Sequence, residues 1–223
     1  MITLDKIVKK YRTDYVETTA LNGINLTIEH GEFLGITGPS GCGKSTLLSI
    51  LGFLDTPDSG EIVFNGETIF PLPRSKTTAR YRRRIGFIFQ SFNLINSLTV
   101  QENIMLPLKY SGVRKTEQVA RSQGILKKLD IEHRASHRPN QLSGGQQQRV
   151  AIARALVHQP DVIIADEPTG NLDSLNAQQT LELIKSINAS GTSVVMVTHD
   201  DSQKSYFSRC IEMKDGEFLR SNG

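Results

Sequence analysis

Three stretches of this 223-residue chain carry residue types and spacings that could bind and cleave a phosphate. The octapeptide GPSGCGKS, Gly38 to Ser45, fits G-x-x-x-x-G-K-[ST] and lies between an apolar run of strand length (EFLGIT, 32–37) and a helix-spaced run (KSTLLSILGFL, 44–54). In that setting Gly38, Pro39, Ser40, Gly41, Cys42 and Gly43 form a turn whose main-chain amides curl round β- and γ-phosphates. Lys44 then brings a point charge to the terminal phosphates, Ser45 offers a hydroxyl to Mg²⁺, and Thr46 continues the helix beside it. The run DVIIAD (161–166) delivers Asp166 to a strand's carboxyl end, where ligands bind in parallel α/β sheets and where a magnesium ion finds a second anchor. Glu167 follows directly and could polarise an attacking water as a general base, the alternative being an Asp-Glu pair that caps a helix. In LSGGQQQRVAIARAL (142–156), Ser143, Gly144 and Gly145 stand before an amphipathic helix, whose amides and dipole also suit an anion. Ser143 as a plain helix cap is compatible with that reading.

The elements that must position these groups are legible in outline. INLTI (24–28) alternates like a half-buried strand, and EIVFNGE (61–67) reads as a strand entering an Asn-Gly turn. IGFIF (85–89), DVIIAD and TSVVMVTH (192–199) are dense apolar runs separated by helical segments, as in a parallel sheet covered on both faces. Between Gln90 and about Pro160 the pattern is helical throughout: VQENIMLPLKY, TEQVARSQGILKKL and SGGQQQRVAIARALV. The tail predicts a short helix and then a hairpin turned at Asp215-Gly216.

Composition narrows the class. A hydrophobic share of 38% and a charged share of 22% exclude disordered and fibrous chains, and the length suits one α/β domain with an insertion. A net charge of +3 is too small to argue for nucleic acid. The densest basic run, PRSKTTARYRRR (73–84), carries no recognised nucleic-acid motif and reads as a solvated face, with lipid headgroups or a membrane partner as the other reading. No stretch reaches the roughly 18 apolar residues of a membrane-spanning helix, and the first residues hold no signal-peptide core, so a cytosolic protein is expected. Cys42 and Cys210, the two cysteines, are expected as free thiols. Alkylation of Cys42, where solvent reaches it, should block nucleotide entry.

Taken together in their order along the chain, LSGGQ, ADEPTGNLD, Gln90 and His199 make the sequence resemble the nucleotide-binding subunit of an ATP-binding cassette (ABC) transporter over essentially its whole length. The resemblance implies an α/β P-loop NTPase fold: a RecA-like core with an antiparallel β portion (1–90 and 158–223) and an inserted α-helical subdomain (91–157) in a single ABC ATPase domain. It implies ATP and Mg²⁺ as ligands, with Gln90 joining core to helical insertion and assisting at the metal, and His199 contacting the γ-phosphate. It also implies two copies packed head to tail, so that Ser143, Gly144, Gly145 and Gln146 meet the nucleotide held by the other copy, while Asp173 addresses the opposite subunit. Arg149, one turn further along, is expected to make a structural contact. An adenine platform is expected from Tyr11, with Tyr15 as competitor.

Within the family, FQSFNLINSLTVQENIMLPL and DEPTGNLDS look most like ATPases of lipoprotein-release, macrolide-export and antimicrobial-peptide systems. The implied partners are a second copy, a separate integral membrane permease docking around Gln90 and residues 91–108, and an outer adaptor reached through that permease. The implied place is the cytoplasmic face of a prokaryotic plasma membrane. A cell-division-type signalling ATPase is the alternative, and a soluble cassette acting on DNA or ribosomes a more distant one.

Overall fold

The computed structural model describes residues 1–12, 16–71, 81 and 83–219. Tyr15 and all but Tyr81, Arg83 and Arg84 of the basic run 73–84 lie outside them.

Among the described residues, ten strands form two sheets. The antiparallel sheet has the order β2-β1-β4-β5, built from β1 (Ile2–Arg12), β2 (Glu17–Ile28), β4 (Ser59–Phe64) and β5 (Glu67–Phe70). β4 and β5 are joined by Asn65-Gly66, both at positive φ, as the Asn-Gly signal predicts. The second sheet has the order β10-β9-β3-β8-β7-β6, from β3 (Phe33–Thr37), β6 (Ile85–Phe89), β7 (Val162–Asp166), β8 (Ser193–Val197), β9 (Arg209–Lys214) and β10 (Glu217–Phe218). It is parallel except for the β9–β10 hairpin, which turns at Asp215-Gly216 as expected.

Both faces of the parallel strands are covered, which explains why their sequences are continuously apolar rather than alternating. Leu34, Ile36, Val162, Ile164, Val195 and Val197 join one buried cluster with helix α1 (Lys44–Leu51) and the antiparallel sheet. Phe33, Ile163, Ala165, Val194 and Met196 join the other cluster with α2 (Val100–Tyr110), α3 (Lys115–Lys128), α4 (Gly144–Leu156) and α5 (Ser174–Ala189). Three helices, two 3₁₀ turns and no strand occupy residues 90–161. Each helix of the insertion contributes to the same apolar cluster as the sheet, through residues such as Ile104, Leu126 and Ile152.

One expectation needs correction. No local pattern marks a strand in the first twelve residues and INLTI marks one only from Ile24, whereas β1 and β2 are the two longest strands among the described residues. Strict alternation is lost because the register slips between Leu4 and Ile7, where Lys6 takes a φ of 47°. This bulge resets which side chains point inward, so Ile2, Leu4, Ile7 and even Lys9 are buried without keeping one period of two.

Candidate active site

All the parallel strands end on one side, and the chemistry gathers there. Glycines let the loop between β3 and α1 close tightly: Gly43 sits at a φ of 107°, and a Cβ there would stand 2.3 Å from the Ala20 carbonyl oxygen. No other residue type fits that position. Lys44, at the start of α1, is buried, and its Nζ donates to the carbonyls of Gly38 (2.9 Å) and Pro39 (2.7 Å). A cation is thus held at the mouth of a ring of amides, with the positive end of α1 behind it.

Asp166 lies at the end of β7 and lines the same cleft as Ser45. Burial raises the Asp166 pKa from the ordinary carboxylate value, and the charge of Glu167 adds to the rise, while Ser45 and Lys44 oppose it. Glu167 carries a φ of 45°, and its amide donates to the Val197 carbonyl of β8 at 3.0 Å. This unusual backbone turns the side chain toward the neighbouring strand tip. There His199 Nδ1 stands 3.2 Å from Glu167 Oε1, with the imidazole largely exposed. The expected acid pair does not cap a helix; α5 is capped by Asp173 instead.

A cleft of about 700 Å³ gathers Tyr11, Ser40, Gly41, Gly43, Lys44, Ser45, Thr46, Asp166, Glu167 and His199. Tyr11 presents a half-exposed ring whose hydroxyl donates to Asp55 at 3.1 Å, and the Lys9 ammonium lies 5.2 Å from the ring centroid. Cys42 does not line the cleft and is only 4% exposed, so the condition attached to its alkylation is not met: its thiol packs in the core beneath the loop. Both cysteines are free thiols, as expected.

The remaining singled-out residues lie elsewhere. Gln90 rests against Gly170, where a Cβ would meet its amide nitrogen at 2.7 Å, and its carbonyl accepts from Asn171 at 3.0 Å. Ser143 caps α4: its hydroxyl accepts from the Gln146 amide, and the Gln146 side chain accepts from the Ser143 amide. Gly145 allows α4 to approach α5, since a Cβ would stand 2.0 Å from Asn176 Oδ1. Asn176 in turn donates to Asp173, tying that residue to the turn at Ser143. Arg149 contacts Leu129 and Gln179, a structural role as expected. None of Gln90, Asp173 and residues 143–146 lines the cleft.

Sequence reasoning missed two glutamines beside this site. Gln148 and Gln203 are 0% and 6% exposed and donate to the residues just after Glu167. Neither carries a sequence signal, because a glutamine on a helix or in a polar turn ordinarily faces water.

The glycine loop, its lysine and serine, and an acid at the tip of the adjoining buried strand define a P-loop nucleoside triphosphatase. The ABC transporter family model matches residues 21–170, and the chain belongs to that family as an ATP-binding ABC ATPase cassette. It is similar, at 46% identity over 98% of both chains, to the uncharacterized ABC transporter ATP-binding protein MJ1508 of Methanocaldococcus jannaschii. It is 43% identical over its full length to the macrolide export ATP-binding/permease protein MacB of Hyphomonas neptunium, but spans only 35% of that protein. Among solved structures it resembles the ATP-binding cassette MJ0796, seen as a dimer bound to ADP and Pi in a post-hydrolysis state, at 44% identity and a TM-score of 0.89 over 99% of this chain and 97% of that one.

Proposed function

We propose that two copies of this chain close head to tail around ATP, hydrolyse it, and drive a separate membrane permease of an export or force-transmitting system. The observation that carries the reading is the division of the anion-binding groups. The cleft holds the phosphate loop, Asp166, Glu167 and His199, whereas the donors at Ser143, Gly144 and Gly145 lie outside it on the same chain. Donors of that kind complete a site only when a second copy presents them. The dimeric form of MJ0796 supports this arrangement.

Within each site Lys44 exchanges the Gly38 and Pro39 carbonyls for the terminal phosphates. Glu167 accepts a proton from the attacking water, and His199, already beside Glu167, holds the γ-phosphate side of the arrangement. Ser45 and Asp166 fit magnesium: both are hard oxygen donors lining the same cleft, and they would hold the ion with Gln90 assisting from the loop after β6. Bound there, the ion would supply charge neutralisation for the transferring phosphate. Tyr11 serves as the adenine platform. Asp173 addresses the opposite subunit from the N-terminus of α5.

Residues 91–157 act as a helical subdomain against a core of 1–90 and 158–223. The permease docks near Gln90, where the stacked rings of Phe87 and Phe89 on edge strand β6 and the exposed Tyr110 border a groove of about 520 Å³. Docking there places the cassette at the cytoplasmic membrane face, with any outer adaptor reached through the permease. No helix of the described residues is long and apolar enough to cross a membrane. The MacB relatives, which carry ATP-binding and permease functions under one name, support such a partner.

The test is Glu167→Gln. Turnover should fall by roughly 10² to 10⁴, as expected for loss of a general base, with nucleotide affinity kept and an MgATP-dependent dimer visible by light scattering. Tagged and incubated with MgATP and native membranes in mild detergent, the same variant should retain a permease. Near-normal turnover would remove Glu167 from its role, and ribosomal or DNA-bound partners alone would overturn the membrane reading.

A further inference from the structure

The segment Glu167–Thr169 is gripped from two sides by buried amides. From α4, the helix that Ser143 caps, the Gln148 Nε2 donates to the Pro168 carbonyl at 2.7 Å. From the 3₁₀ turn Asp201–Tyr206, the Gln203 Nε2 donates to Thr169 Oγ1 at 3.0 Å and to Asp200 Oδ2 at 3.1 Å. Both orientations are forced by chemistry, because a carbonyl and a carboxylate only accept. Asp200 follows His199 and Thr169 lies two residues after Glu167, so Gln203 ties together the two loops whose side chains meet at 3.2 Å.

Stability does not explain these residues. Among the described residues neither Gln148 Oε1 nor Gln203 Oε1 has a hydrogen-bond partner, although both are buried. A buried acceptor left unpaired carries a desolvation cost that an apolar side chain of the same length would not have. Glu167 itself holds a left-handed backbone, which persists only where its surroundings impose it.

We infer that Gln203, with Gln148 opposite, is a positioning residue for hydrolysis: the pair clamps the segment that carries Glu167 between the His199 loop and the helix that Ser143 caps. This rests on the reading that Glu167 and His199 act at the attacking water. The clamp also links the two ends of the dimeric arrangement, since movement of α4 on meeting the partner's nucleotide is transmitted through Gln148 to the chain's own Glu167.

The experiment uses the full chain and steady-state ATPase kinetics. Gln203→Met removes both donor bonds and keeps the volume. It should lower kcat about tenfold while KM for ATP stays within about twofold and the melting temperature holds or rises, because only the reacting geometry is loosened. Thr169→Val should lower kcat similarly, Thr169→Ser should retain it, and the double variant Gln203→Met/Thr169→Val should be no slower than either single one. The Thr169 pair decides the matter if Gln203→Met folds poorly. A Gln203→Met enzyme with normal kcat, or one whose kcat, KM and stability all decline together, overturns the clamp. Glu167→Gln, assayed alongside, separates the two readings: if it still turns over, the role of Glu167 fails and the clamp with it; if it is inactive while Gln203→Met is normal, the clamp alone fails.

Discussion

Two stretches of the chain set glycines at the start of a helix, and they are prepared in opposite ways. In the phosphate loop the groups converge: Lys44, Ser45, Asp166, Glu167 and His199 line one cleft, and the lysine is held in place by the loop's own carbonyls. At the turn before α4 nothing converges. Ser143 and Gln146 satisfy each other in a capping box, Gly145 packs against Asn176, and the Asp173 carboxylate is taken up by that same Asn176. The first region can bind a nucleotide within one chain. The second lies outside the cleft, and in the proposed head-to-tail arrangement it is the closing half of the other copy's site. The contrast also separates two uses of glycine, one to let backbone curl round a ligand and one to let two helices touch.

The largest expected effect breaks the phosphate loop. In Gly43→Ala the new Cβ would stand 2.3 Å from the Ala20 carbonyl, a backbone atom of β2, at a φ of 107°. The loop or the strand must move, so stability should fall by about 2 kcal/mol or more, and MgATP binding should weaken at least about 100-fold. Gly41→Ala is the comparison: its φ is also positive, but its Cβ would meet no atom within 4 Å, so a penalty near 1 kcal/mol is expected. Equilibrium unfolding and nucleotide titration of both variants check the pair. Equal behaviour would mean that close approach to Ala20 is not what shapes the loop.

At Ser143 the effect on the fold is smaller and the effect on assembly is selective. Ser143→Ala removes the cap and should cost about 1 kcal/mol of stability. Ser143→Asp keeps a good cap and should leave the melting temperature nearly unchanged, yet it sets a negative charge against an incoming phosphate. In a Glu167→Gln background both variants should lose the MgATP-dependent dimer while each monomer still binds nucleotide. A Ser143→Asp protein that dimerises normally would make this turn a helix cap and nothing more.

What could be read in advance follows from where each signal resides. The phosphate loop, β3, β7 and β8 were legible because glycine placement and continuous apolar runs are local properties of the sequence. β1 was not, because the slip near Lys6 destroys the alternation by which a half-buried strand is recognised. Cys42 was placed correctly in its loop but without its direction; that the thiol points into the core depends on β2 and β9 closing beneath it, which no local pattern records. Gln148 and Gln203 were invisible for the same reason, since their burial is produced by chain segments far from them in sequence.

The smallest effect concerns Asp166 and sharpens the contrast between a poised site and an indifferent one. Because burial, reinforced by Glu167, raises its pKa, the ionised carboxylate is less favourable in the folded chain than in the unfolded one. This penalty is present in full above the folded pKa, shrinks as pH falls through it, and vanishes below the unfolded value near 3.8. Asp166→Asn removes the charge, so without nucleotide it should melt about a degree or two higher than the parent at pH 7, and the gap should close toward pH 4. Magnesium with nucleotide reverses the order, since a divalent cation favours the ionised form and only the parent gains stability from it. Thermal melts of both proteins across that pH range, with and without MgATP, read both signs. A variant less stable than the parent in the absence of nucleotide would show that the Asp166 carboxylate serves the fold itself, whereas the expected crossing would show a carboxylate held at a cost that its ligand relieves.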